Sequence, residues 1–254
     1  MQRHKLILEY DGSGFSGWQK QKNAITIQEV LENALFQITG ENTCVIGCGR
    51  TDAGVHAVGQ VAHFDLQKEI SDVKLLSALN FYLRPYSVSI LSCSLVERDF
   101  HARYSATSRT YLYKIENRDA PLALDQGRCW HIRYKLILDF MQEAAGYLEG
   151  THDFTSYRAK SCQSKSAIRT VEYISFARSK DQFGQKIEVK IKADGFLHHM
   201  VRNIIGTLVL VGKCNIKPID VKYILEAKDR NLAGMTAPAY GLYFFDAGYI
   251  NSFF

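Results

Sequence analysis

Residues 49–56, Gly-Arg-Thr-Asp-Ala-Gly-Val-His, hold the side chains of this sequence best suited to covalent chemistry. Gly49 and Gly54 bracket the triplet Arg50-Thr51-Asp52. Glycine allows positive φ and close backbone approach, so this is a shaped loop rather than more strand. If Arg50 and Asp52 lie within about 4–6 Å, the guanidinium lowers the carboxylate pKa by roughly 1–3 units. Asp52 is then ionised at neutral pH even when partly desolvated, as a carboxylate nucleophile requires. The plainer alternative is a glycine-rich turn with a surface aspartate and an incidental arginine.

A second cluster is Gly195-Phe196-Leu197-His198-His199-Met200-Val201-Arg202-Asn203. The apolar pattern predicts a helix over Phe196–Val211, on which His198 and Arg202 are four apart and share a face. An arginine near the start of an apolar helix is costly to bury alone. Asp52 is one of few candidate partners, and the alternative is an Arg202 that snorkels to solvent. His56, His63, His198 and His199 raise the question of a metal. On a helix, however, the tandem pair would point about 100° apart and could not share an ion. No His-Glu-x-x-His or Cys/His cluster, Gly-x-Ser-x-Gly elbow, Walker loop or dinucleotide fingerprint is present. No metal and no cofactor are expected.

The elements that must position these groups follow from the hydrophobic pattern. Lys5–Tyr10 reads as a first strand. The loop Asp11–Lys22 combines three glycines with Phe15 and Trp18, then Lys20 and Lys22. Flat rings beside cations suit stacking on bases and neutralising phosphates, or the rings tuck into the core. Thr26-x-x-Glu29 is a capping box opening a helix with Ile27, Val30, Leu31, Ala34, Leu35 and Ile38 on one stripe, stopped by Gly40. A strand at Thr43–Gly47, holding Cys44 beside Cys48, leads into the Gly49 loop, and Gln60–Asp65 reads as its partner. Ser71 caps a helix to Leu83, and Val88–Glu97 is another strand. The order β-α-β-β-α-β is the split βαβ arrangement of ferredoxin-like domains.

A crossover, Arg98–Ser105, then leads to a strand at Arg109–Asn117 with Tyr111 and Tyr113 on one face. A helix at Leu138–Leu148 precedes 151–160, which reads as an exposed polar loop. Strands at Val171–Arg178 and Lys186–Ala193, helices at Phe196–Val211 and Asp220–Ala227, and a strand at Gly241–Ala247 complete a second β-α-β-β-α-(α)-β series. The expected class is α+β: two ferredoxin-like halves, residues 1–105 carrying the Asp52 loop and 106–254 completing a central cleft between antiparallel sheets.

With 254 residues, 46% hydrophobic and 22% charged, the composition is that of an ordinary globular chain. The net charge of +5 is compatible with a polyanionic partner. Six scattered cysteines with no Cys-x-x-Cys pair favour a reducing compartment. No signal peptide is read at the start, and the longest apolar run, Ile204–Val211, falls far short of the ~20 residues of a membrane span. A soluble cytoplasmic protein is expected.

Taken together, these segments resemble the TruA-type tRNA pseudouridine synthases. Gly49–His56 is similar to that family's catalytic motif, Phe15-Ser16-Gly17-Trp18-Gln19 to its N-terminal loop, and Asp99-Phe100-His101-Ala102-Arg103 to its crossover. Tyr111 falls where its active-site tyrosine does. Asp153–Arg158, His198–Asn203 and Gly241-Leu242-Tyr243 complete the match, with one departure at Ala239, where the family often shows a second proline. The resemblance implies conversion of uridine to pseudouridine at positions 38, 39 and 40 of the tRNA anticodon arm, and a homodimer bridged by tRNA. It implies Asp52 as nucleophile at C1′ or C6, held by Arg50 and Arg202, with Tyr111 on the uracil and Leu242 lining the pocket. Trp18, Gln19, His56 and His198 would contact substrate, and Lys20, Lys22, Arg103, Arg109, Arg158 and Arg169 its phosphates. Two rivals are a non-catalytic RNA-binding protein of ferredoxin-like fold and a metal-dependent hydrolase.

Overall fold

Leu6, Leu8 and Tyr10 alternate along strand β1 (Gln2–Tyr10) and are all buried, the period-two pattern of a sheet with a covered face. The computed structural model describes residues 1–250, and they fall into two compact units. One holds Met1–Ser108 together with residues 243–250, and the other holds Arg109–Leu242.

In the first unit β1 pairs antiparallel with β3 (His56–Leu66) on one side and β4 (Val88–Val96) on the other. The short β2 (Ile46–Gly47) pairs antiparallel with β3, giving the order β4-β1-β3-β2. Strand β10 (Leu242–Tyr249) runs parallel to the start of β3, with Tyr243 opposite His56 and Phe244 opposite Ala57. Helix α1 (Ile27–Thr39) is capped by Thr26, whose hydroxyl accepts from the Glu29 N–H at 3.4 Å. It ends at Gly40 with φ 76°, a left-handed turn that glycine enters without penalty. Ile27, Leu31 and Leu35 on its inner stripe are fully buried, each contributing about 1.5–3 kcal/mol of burial. Helix α2 (Asp72–Tyr82) buries Leu75 and Leu79.

The strand expected at Thr43–Gly47 shrinks to two residues. Val45 is buried, but its N–H goes to the Glu32 carboxylate of α1 at 3.2 Å rather than to a strand. Cys44 is accordingly exposed, not buried in a strand, whereas Cys48 is buried.

In the second unit β5 (Ala106–Asn117) pairs from Arg109 onward with β9 (Gln185–Ala193), which pairs with β8 (Ile168–Lys180) and β8 with β7 (Gly150–Asp153), all antiparallel. A short β6 (Trp130–Ile132) lies parallel to the end of β5. Helices α3 (Leu138–Gly146), α4 (Met200–Gly212) and α5 (Asp220–Ala227) complete the unit.

Two expectations fail here. The segment 151–160 is not an exposed loop: it begins as β7 and continues into a single 3₁₀ turn, Thr155–Tyr157, with Phe154 and Tyr157 fully buried. Its polar groups are met by neighbours, Ser156 donating to the Ile224 carbonyl and Asn203 to the Tyr157 carbonyl. Helix α4 begins at Met200, not Phe196, because His199 takes φ 62° and breaks the helical backbone.

Candidate active site

The Asp52 loop is held by backbone approach from the Asp11–Trp18 segment. A Cβ on Gly12 would lie 2.1 Å from the Val55 carbonyl oxygen, so no other residue fits without moving the loop. Gly17, at φ 92°, would put a Cβ 2.6 Å from the Thr51 oxygen and 3.2 Å from the Asp52 carbonyl carbon. The Trp18 N–H donates to the Thr51 carbonyl at 3.0 Å, and Gln60 donates to the Gly49 carbonyl at 3.0 Å. Within the loop, the Val55 N–H closes a turn onto the Asp52 carbonyl at 3.1 Å, with Gly54 at φ 77°.

The Tyr10 and Thr51 hydroxyls are 2.8 Å apart. Burial pushes the Tyr10 phenol up to about 12, so it stays protonated and keeps its hydrogen-bonding role at neutral pH. His56 is 2% exposed: its Nδ1 accepts from the Gly12 N–H at 3.0 Å, stands 3.2 Å from an Asp11 carboxylate oxygen, and its ring stacks on Tyr243 at 4.7 Å. On this scaffold Thr51 is buried, Asp52 half-buried and Arg50 exposed.

The aromatic residues of the Asp11–Lys22 loop face inward. Trp18 is 2% exposed, its indole lying against Gly47, where a Cβ would come within 2.5 Å of it. Phe15 is buried beside Tyr86. Of the two roles open from the sequence, both rings occupy the core. Gln19 donates to Gln28 at 2.8 Å, Lys20 pairs with Glu32 at 3.1 Å, and Lys22 is exposed. Arg103 is exposed over the Tyr104 ring at 5.8 Å.

In the second unit the Arg202 guanidinium donates from Nε to the Ala237 carbonyl at 2.7 Å, while the Ala237 N–H donates back to the Arg202 carbonyl at 3.1 Å. The next residue, Asn203, is fully buried and anchors the same strap. Its Oδ1 accepts from Thr236 at 2.7 Å and from Arg230 at 2.9 Å, and its Nδ2 donates to the Tyr157 carbonyl. Gly206 on α4 lies so close to the Met235 carbonyl that a Cβ would overlap it.

Tyr111 is half-buried, with its ring edge-on to Phe196 at 5.1 Å. Tyr113, two residues on, is structural: its hydroxyl donates to the Pro238 carbonyl at 2.9 Å and its ring lies against Gly241. Burial pushes its phenol far above the usual tyrosine range. Leu242 is buried. Arg109 donates to the Asp194 carbonyl and Arg169 to Ser164, and Arg158 is half-buried.

His198 and His199 precede α4, so neither the shared face of His198 with Arg202 nor the 100° separation of the two imidazoles holds. Their ring centroids are 3.9 Å apart, and His198 is exposed with Nδ1 3.1 Å from the Ser161 hydroxyl. Ring spacing therefore gives no ground for rejecting a shared ion. In the first unit His4, Asp72 and Cys93 bring one ligand atom each within 4.8 Å of the others, His4 Nδ1 and Asp72 Oδ1 being 3.2 Å apart. Burial raises the Cys93 thiol to about 12, so without a cation it stays protonated.

A family model described as tRNA pseudouridine synthase matches residues 6–105 and 144–250. The chain belongs to the tRNA pseudouridine synthase family. The first matched segment contains Asp52 with Gly12, Gly17, Trp18 and Gln60, which hold its loop; the second contains Arg202, Asn203 and Leu242. Tyr111 and Arg109 fall between the two segments, yet full-length relatives span them. A tRNA pseudouridine synthase A from Ehrlichia chaffeensis is 48% identical over 97% of this chain and 100% of its own. Another from Rhodospirillum centenum is 49% identical over 98% of this chain and 100% of its own. A solved Cbf5–Nop10–Gar1 complex aligns with 96% of this chain and 49% of that chain, at 13% identity and a TM-score of 0.39.

The sequence reading missed Tyr10, Gly12 and Gln60 as supports of the loop, and Asn203, Arg230 and Thr236 as supports of Arg202. Gln60 carried a signal, being an amide set directly before the apolar pair Val61-Ala62 in β3. Arg230 carried none, because its acceptors come from α4 and from a loop 3–6 residues further along the chain.

Proposed function

We propose that this protein isomerises uridine to pseudouridine in tRNA, at positions 38, 39 and 40 of the anticodon arm. In the reaction the N1–C1′ bond breaks, the uracil turns while held, and C5 bonds to C1′. N1 then gains a proton and C5 loses one. Substrate and product contain the same atoms, so no electron or group donor enters the balance. The chemical demand is for an ionised nucleophile, and Asp52 meets it by attack at C1′ or C6. The observation that carries this reading is the Asp52 loop itself. Its backbone is pinned by Gly12, Gly17, Trp18 and Gln60, which is the preorganisation a nucleophile needs.

Arg50 and Arg202 neutralise the carboxylate, Tyr111 holds the detached uracil, and Leu242 lines the pocket. The target nucleotide leaves its stack at a cost of a few kcal/mol. Phosphate contacts by Lys20, Lys22, Arg103, Arg109, Arg158 and Arg169 offset this, and they make binding strongly salt-dependent. The protein acts as a homodimer in the cytoplasm. Among the described residues no helix is long and apolar enough to cross a membrane.

The test is to map modified nucleotides in tRNA treated with wild-type and Asp52→Asn protein. Wild type should give pseudouridine at the three positions. Asp52→Asn should bind tRNA equally and lose at least about 10⁴-fold in turnover. Pseudouridine formed by the variant above a protein-free blank removes Asp52 from the mechanism. Unmodified tRNA after wild-type treatment turns the protein into a non-catalytic RNA binder.

A further inference from the structure

The second unit holds a cavity of about 440 Å³ that the proposed chemistry does not use. Its lining includes Lys160, His199, Asn203, Arg230, Asn231 and Met235, with no carboxylate among the lining residues. The size falls within the range of about 300–1,000 Å³ typical of small-ligand sites.

Arg230 is the decisive residue. It is half-buried and fixed by three neutral acceptors: Asn203 Oδ1 at 2.9 Å, the Thr236 hydroxyl at 3.2 Å and the Ala233 carbonyl at 3.2 Å. Among the described residues no carboxylate lies within ion-pair distance of it. Such a guanidinium is aimed and oriented while its charge stays uncompensated, as in sites that take a phosphate from outside the chain. Lys160 supplies a second, exposed cation without an acidic partner among the described residues. His199 reaches the same cavity from a left-handed backbone at φ 62°, a conformation costing about 1–2 kcal/mol for a residue with a Cβ. Met235, 61% exposed at the rim, offers a polarisable apolar surface beside the cations.

We propose that this cavity seats one nucleotide of the bound RNA strand other than the target uridine, its phosphodiester on Lys160 and Arg230 and its base against Met235. The proposal rests on tRNA being the substrate. It makes Lys160 a binding residue separate from Asp52 and from the cations named above.

The test compares wild type, Lys160→Gln and Met235→Ala, with Lys222→Gln, a surface cation on α5, as a control. Dissociation constants for tRNA are measured across a salt series, and kcat at saturating tRNA. Lys160→Gln should raise Kd by about 3–10-fold at low salt and make the slope of log K against log salt shallower by about 0.7–0.9. Its kcat should be unchanged. Met235→Ala should weaken binding without altering the slope, and Lys222→Gln should do neither. An unaltered Kd and slope in Lys160→Gln overturn the proposal. Inorganic phosphate that binds wild type and not Lys160→Gln, while Kd and slope for tRNA are the same in both, also overturns it and assigns the cavity to a free anion. Wild type that binds tRNA without forming pseudouridine refutes the catalytic reading while the slope test still runs. Wild type that does not bind tRNA refutes both.

Discussion

The Asp52 loop and the first turn of α4 each present a charged side chain, and they are secured by different mixtures of backbone and side-chain contact. Around Asp52 the closest contacts are made by backbone: Gly12 and Gly17 remove the side chains that would hold two loops apart, and their main chain touches that of Thr51–Val55 directly, with Gln60 and Tyr10 adding hydrogen bonds to Gly49 and Thr51. Around Arg202 side chains share the holding, with Asn203, Arg230 and Thr236 clamping the 230–238 strap and Arg202 itself bonded to Ala237, beside one backbone hydrogen bond and the close approach of Gly206 to Met235. Backbone approach leaves no room for a side chain, so a substitution there must displace the loop. A side-chain clamp tolerates more change at any one contact, because its load is shared over several hydrogen bonds. In the proposed reaction the nucleophile profits from the first device and the charge-balancing cation can use the second.

Beyond the Asp52→Asn experiment, the largest expected effect is that of Arg202→Lys. Lysine has no Nε–H to hold the Ala237 carbonyl while a second donor faces substrate, so kcat/KM should fall about 10²-fold with little loss of fold. An unchanged kcat/KM would show that the clamp does not serve chemistry. Gly12→Ala comes next. The added methyl must push Val55 and its loop aside, costing about 2–3 kcal/mol and lowering Tm by about 5–10 °C, with kcat reduced as well. A thermal melt that matches wild type would sink the close-approach account.

Asn203→Ala strips acceptors from Arg230 and Thr236 and should cost about 1–3 kcal/mol in urea unfolding. If the clamp shares its load, activity at 25 °C should drop less than in Gly12→Ala, and the reverse order would invert the comparison.

The smallest effect is a pH dependence in the first unit. Burial, with His101 and Arg3 nearby, lowers His63 to about 4, and its Nδ1 accepts from the Ala102 N–H at 3.1 Å, holding the crossover that carries Arg103. The unfolded chain takes up a proton near pH 6.5 while the folded protein does not. The stability contribution is therefore full above about 6.5 and is lost as pH falls toward 4. Allowing for screening, it amounts to about 1–2 kcal/mol. Urea midpoints measured at pH 7.5 and 4.5 should show the loss in wild type and a smaller one in His63→Gln. Equal losses in both proteins would assign the effect to other groups.

Much of this was readable before folding. Thr26 and Gly40 bound α1 as their residue types dictate, and the order β1-α1-β2-β3-α2-β4 follows from alternation and helical stripes. Strand β10, which reads from the sequence as the end of the second half, instead joins the first unit. The errors fell where local pattern competed with distant contacts. Apolar Phe196 and Leu197 continue the helical stripe, yet His199 turns left-handed and starts α4 later. The polar run 151–160 reads as a loop, yet β8, Asn203 and the Ile224 carbonyl satisfy its backbone and hydroxyls and draw Phe154 and Tyr157 inside.

By itself the sequence determined which residue types could act, above all Asp52 between two glycines, and the helices and strands whose periods are local. Only the tertiary structure decided that Trp18 is a core residue, that Gly12 and Gly17 admit the Asp52 loop, and that Arg230 has no acidic partner among the described residues. The physical reason is range: a hydrophobic period is written in consecutive residues, whereas a close approach or a hydrogen-bond clamp depends on segments that meet only once the chain has folded.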